Sequence, residues 1–95
     1  MIAGFSIVPL DKGPSLSKYV AEAFKIIESS GVSFEHHAMG TNLEGDWDEV
    51  MGVIKACRDR MIELSDRVSI SIKIDDRVGA IDRLAKKVDS ARSKM

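Results

Sequence analysis

Two stretches of this chain carry more polar chemistry than their surroundings require. His37-Ala-Met-Gly-Thr-Asn-Leu-Glu-Gly-Asp46 sets a histidine, a hydroxyl, an amide and two carboxylates within ten residues. Ile72-Lys-Ile-Asp-Asp-Arg77 follows about thirty residues later. Both interrupt an otherwise apolar β pattern. Polar groups drawn into a small core must find partners, so they either knit the fold together or face a ligand. Glu44 or His37 has the chemistry of an acid–base group for a small substrate. The paired Glu44 and Thr41 equally fit a purely structural role in a hairpin. Lys73, Asp75, Asp76 and Arg77 also fit a salt-bridged strand end, with Asp76 capping a helix.

Other chemistries find less support. His36 and His37 are adjacent on a strand and point to opposite faces, so they cannot grip one ion, and no metal site is expected. One is expected in the core or an interface and the other in solvent. Cys57 falls on an apolar helix stripe and reads as a buried, inert thiol; as the lone cysteine it forms no intrachain disulfide. No Gly-x-Ser-x-Gly elbow accompanies the scattered Ser, His and Asp residues. Gly40, Gly45 and Gly52 do not form a phosphate loop; a hairpin turn, the approach to a helix cap and close helix packing account for them.

The elements that position these groups follow from periodicity. Residues 2–10 form a short β-rich apolar run ended by Pro9 and the turn-like Asp11-Lys-Gly-Pro14. Ser15 or Ser17 caps a helix with Leu16, Tyr19, Val20, Ala23, Phe24 and Ile27 at helical spacing, and Gly31 closes it. Val32 to Met39 alternates, Gly40 interrupts, and Thr41–Glu44 returns as a short strand. Asp46 and Glu49 make a capping box for a helix whose stripe runs from Trp47 through Val50, Met51, Ile54, Cys57 and Met61 to Leu64. Val68, Ile70, Ile72 and Ile74 alternate strictly with Ser69, Ser71, Lys73 and Asp75. A last helix follows, with Ile81, Leu84, Ala85, Val88 and Ala91 on its stripe.

The order βαββαβ with an added C-terminal helix predicts an α+β, ferredoxin-like sandwich: a four-stranded antiparallel sheet with two helices on one face. The uncovered face would carry Ser69, Ser71 and Lys73 beside either Phe5 and Ile7 or Ser6 and Val8. Such a mixed face calls for a second subunit or a ligand.

Ninety-five residues, 44% apolar, make a single domain spanning 1–95 with one modest core. Fourteen basic against fifteen acidic side chains leave a charge of −1, which argues against nucleic acid and anionic membranes as partners. An RNA-recognition module shares the element order but needs aromatic residues on its open face, and the last two strands have none. The apolar start, too short to span a bilayer and without a basic leader, is not a signal peptide, so a cytoplasmic location is expected.

Ser6-Ile-Val-Pro9, Ser17-Lys-Tyr-Val-Ala-Glu-Ala23, His37-x-Met-Gly-Thr41 with Glu44-Gly45, and Ile72-Lys-Ile-Asp-Asp-Arg77 together resemble the small thiamine-binding proteins of archaea, bacteria and yeast, in order and over nearly the whole chain. The resemblance implies a ferredoxin-like homotetramer built through sheet contacts. It implies non-catalytic binding of thiamine or its hydroxymethylpyrimidine part, with no cofactor and no metal. Ser6, Met39, Gly40, Thr41, Glu44 and Lys73 are the ligand-site residues expected on that basis. Glu44 would balance charge or bind the amino group, Thr41 and the Gly40 backbone would read the ring edge, and Met39, Phe5 or Trp47 would contact the rings. Lys73 fits least well, because it repels a thiazolium unless Asp75 or Glu44 neutralises it. The alternatives from other classes are a small-substrate enzyme and a scaffold module whose polar cluster only sets assembly geometry.

Overall fold

The computed structural model describes residues 1–79 and 91–94. Six elements follow in order: β1 (Ile2–Pro9), α1 (Ser17–Ser29), β2 (Ser33–His37), β3 (Gly40–Glu44), α2 (Trp47–Leu64) and β4 (Val68–Asp75). The sheet runs β2-β3-β1-β4 with every neighbouring pair antiparallel. This is the expected α+β ferredoxin-like arrangement. The stripe proposed for a C-terminal helix lies, except for Ala91, outside the described residues.

Register decides which side chains face the helices. Ala3 pairs with Leu43 and Ile74, and Phe5 with Thr41 and Ile72. Phe34 and His36 lie opposite Leu43 and Thr41 on the next strand. Directly opposed residues share a face, so all of these project toward α1 and α2. Ala3, Phe5, Leu43, Ala23, Ile27, Val50, Cys57 and Met61 form the centre of the buried core. The opposite face carries Gly4, Ser6 and Val8 beside Lys73, Ser71 and Ser69, which settles the two registers open to the sequence in favour of the serine side.

The helix stripes are legible with three corrections. Leu16, not a serine, occupies the N-cap of α1 and makes no side-chain cap bond. Trp47 opens α2 but is 56% exposed, and Val53 takes a buried place instead. An added Cβ at Gly52 would meet nothing within 4 Å, so close helix packing does not explain that glycine. The capping box of α2 forms as expected: the Glu49 amide donates to Asp46 Oδ1 at 2.8 Å, and the Asp46 amide donates to Glu49 Oε1 at 3.3 Å. Arg60 on α2 bridges to Glu22 on α1 at 3.3 Å and braces the helix pair. Burial pushes the Cys57 thiol up to about 11, so it stays protonated and unreactive near neutral pH.

The loop after β1 is tied to the turn before β4. The Ser65 hydroxyl and the Asp66 amide both donate to the Asp11 carboxylate, and the Leu10 amide donates to the Arg67 carbonyl at 2.8 Å. The Ser65 hydrogen bond, ahead of the Asp66 amide, holds the Asp11 carboxyl below its usual 3.8. The Glu49 amide does the same for Asp46, and Lys55 for Asp59. Depressed folded-state values mean that the unfolded chain binds more protons as acid is added. Their stabilisation is complete above the unfolded carboxylate range and is lost as pH falls through the lowered folded values. The melting temperature is therefore expected to decline as pH drops below about 4. Asp11→Asn should make that decline shallower, which thermal melts across an acid series would show.

Candidate functional site

A mismatch in strand length creates a cavity beside the β2–β3 hairpin. β2 and β3 are five residues long, whereas β1 and β4 are eight. The β2–β3 hairpin turns at Ala38-Met39, and the β1–β3 pairing ends at Phe5↔Thr41. Beyond that point β1 continues through Ser6, Ile7 and Val8 with β4 on one side only. The step leaves a slot of about 180 Å³ walled by this stretch of β1, by Val20 and Phe24 of α1, and by the hairpin tip. An open strand edge there offers main-chain donors and acceptors to anything that enters.

The slot is apolar with a few polar groups at defined points. Thr41 reaches it from the helix side and is 4% exposed. Its Oγ1 lies 2.9 Å from His36 Nδ1. The His36 imidazole stacks on Phe24 with centroids 3.7 Å apart and planes 12° apart. Ser6, Met39 and Gly40 complete the polar and hairpin side. Gly40 is there by necessity: its φ is +151°, and an added Cβ would stand 2.4 Å from the Phe5 carbonyl oxygen.

On the open face a second depression of about 250 Å³ adjoins the first, sharing Phe5, Ser6, His37 and Met39 with it. Lys73 and Asn42 line its far side. His37 is fully engaged here. The Met39 amide donates to its Nδ1 at 3.2 Å, which leaves Nε2 to carry the proton and donate to Asn42 Oδ1 at 3.3 Å. Asn42 in turn donates to Glu35 at 3.2 Å. The two histidines thus face opposite sides of the sheet, as adjacent strand residues must. Among the described residues no three His, Cys, Asp or Glu side chains converge as a metal site would require.

Of the residues singled out by sequence, Ser6, Met39, Gly40 and Thr41 meet at the slot, and Lys73 stands on the adjoining depression. Glu44 is elsewhere. It lies three residues beyond Thr41 on β3, about 10 Å by strand rise and on the opposite face. It lines a separate cavity of about 520 Å³ at the other end of the sheet, with Asp46, Trp47, Asp76 and Arg77. Val20 and Phe24 read as core from spacing alone, and here they form a cavity wall. The His36–Thr41 pair was accessible in principle, because a two-residue turn at Ala38-Met39 sets those positions opposite each other.

Residues 3–92 match the family described as thiamine-binding protein. The chain belongs to this family. A UPF0045 protein of Methanocaldococcus jannaschii is 43% identical over 77 residues, covering 81% of this chain and 77% of its own. Another, from Methanothermobacter thermautotrophicus, is 40% identical over 96 residues, covering 98% and 97% of the two chains. The crystal structure of the M. jannaschii protein superposes with a TM-score of 0.87 at 38% identity, over 95% of this chain and 93% of that one. A Thermotoga maritima protein with a provisional thiamine biosynthesis/salvage assignment has a TM-score of 0.83 at 23% identity, over 95% and 96% of the chains, and supports the fold alone.

Proposed function

We propose that this thiamine-binding family member holds thiamine or a related hydroxymethylpyrimidine compound, without chemical turnover, in the slot between α1 and the β2–β3 hairpin. The slot is the observation that carries the reading. At about 180 Å³ it is smaller than the few hundred Å³ usual for drug-sized ligands, a size suited to one substituted ring. Phe24 and Val20 offer apolar walls, Thr41 offers a hydroxyl, and the open edge of β1 at Ser6 and Ile7 offers main-chain groups. The second ring would extend past Met39 toward the open face. Lys73 stands on that side and disfavours a cation close to it, which makes the pyrimidine the better-held half.

An enzyme using Glu44 or His37 as its acid–base group finds less support at the slot, because Glu44 lines a different cavity and both nitrogens of His37 are engaged in hydrogen bonds. Calorimetric titration with thiamine and with hydroxymethylpyrimidine is expected to give saturable heat while chromatography recovers the ligand unchanged. Turnover would favour the enzyme, and silence toward both compounds would favour a scaffold.

The proposed working form is a cytoplasmic homotetramer of single 1–95 domains. Among the described residues no helix is long and apolar enough to cross a membrane. Gly4, Ser6, Ser69 and Ser71 keep the open face low, so a second sheet can approach to about 10 Å. Sedimentation is expected to return a four-chain mass at micromolar concentration, and a stable monomer would count against it.

A further inference from the structure

The proposed ligand reading leaves His36 without a task, yet its environment is unusually specific. It does not line the slot; it stands behind Thr41 and Phe24, which do. Its Nδ1 is paired with Thr41 Oγ1 at 2.9 Å, while its Nε2 is buried with no hydrogen-bond partner among the described residues. Phe34 lies tilted over it at 4.9 Å and completes an apolar enclosure.

A neutral imidazole carries one proton, on one nitrogen or the other. If Nε2 held it, a strong donor would be buried unpaired, and orphaned buried N–H groups are rarer in folded proteins than under-satisfied acceptors. If Nδ1 holds it, the orphan is only a lone pair. The N–H then donates to Thr41 Oγ1, and that oxygen is the acceptor. The threonine hydroxyl proton must then point elsewhere, and the slot that Thr41 lines is the space open to it.

We propose that His36 is a positioning residue that fixes Thr41 as a hydrogen-bond donor into the slot, so the site selects aromatic heterocycles presenting an unprotonated ring nitrogen there. The inference rests on the slot being the ligand site. It adds a direction to that reading: Thr41 gives a proton and does not accept one. A ring that offers only C–H at that point leaves a buried hydroxyl proton unpaired. A ring that offers N–H there meets the donor head-on.

Three measurements on the full chain test this. Nitrogen-15 NMR of the unliganded protein should find the His36 proton on Nδ1 and the His37 proton on Nε2; a His36 proton on Nε2 overturns the proposal without reference to any ligand. Hydroxymethylpyrimidine should then be compared with its two aminopyridine counterparts, each lacking one ring nitrogen. One of the two should bind about ten- to a hundred-fold more weakly than the pyrimidine. Equal affinity for all three overturns the proposal. His36→Phe keeps the stack on Phe24 but frees the Thr41 hydroxyl, and should shrink that discrimination while the protein still binds. Discrimination unchanged in this variant overturns the role of His36. If wild-type protein ignores all three compounds while Nδ1 carries the proton, the ligand reading fails and the His36–Thr41 polarity stands.

Discussion

Gly40→Ala is expected to be the most destabilising single-methyl change in the sheet, costing about 2–5 kcal/mol. Two effects add. The backbone there sits at φ +151°, a region that side chains of L-residues rarely adopt. The new methyl would also stand 2.4 Å from the Phe5 carbonyl oxygen and 3.4 Å from Ser6 Cβ, and a paired strand cannot retreat as a flexible side chain can. For a domain of this size the loss corresponds to roughly 10–25 °C in melting temperature. Gly52→Ala is the control. Nothing lies within 4 Å of its added Cβ, and it sits inside α2, so alanine should raise stability by about 0.5–1 kcal/mol. Thermal melts of the two variants should move in opposite directions. A Gly40→Ala protein melting within a few degrees of wild type would show that the hairpin yields freely, and the slot beside it would then lack a fixed shape.

The fold was readable because its two periodicities are clean. Strict alternation over Val68–Asp75 and the helical stripes of α1 and α2 leave one arrangement that turns the apolar sets toward each other, although Ile72 and Ile74 stay 41% and 38% exposed at the β4 edge. The capping box at Asp46 fixed the start of α2 to the residue. What failed was local: Leu16 at the α1 cap and Trp47 at the head of α2 sit at helix termini, where tertiary surroundings outweigh position in a stripe. Val20 and Phe24 show a different limit. A helical stripe says which side chains face the sheet, and nothing in it says that the sheet will stop short and leave two of them beside a hollow.

The candidate slot was legible to the extent that its lining is local in sequence. Met39, Gly40 and Thr41 adjoin on one hairpin, and Ser6 is carried to them by strand pairing. Glu44 is grouped with them by the family resemblance and by the charge it would offer a cationic ligand. Three residues of strand place it about 10 Å away on the other face, and parity alone could have separated it from Thr41. Strand length carried the rest of the information: the cavity exists because β1 outruns its neighbour by several residues, and sequence marks strand ends only loosely.

Thr41 and Glu44 therefore make opposed predictions, and the first is the larger in its effect on binding. Thr41→Val keeps shape and removes the hydroxyl, so affinity for hydroxymethylpyrimidine should fall about ten- to a hundred-fold. It also strips His36 Nδ1 of its partner, at about 1–3 kcal/mol of stability. That second cost complicates any single variant. Adding His36→Phe resolves it, because replacing both members of a buried pair by apolar groups of similar shape is nearly neutral. The double variant should recover most of the wild-type melting temperature and none of the affinity. Glu44→Gln, at the other end of the sheet, should leave affinity at wild-type level. If instead Glu44→Gln weakened binding and the Thr41 variants did not, the ligand would belong to the cavity of Glu44 and Trp47, and the slot at the hairpin would be a feature of packing alone.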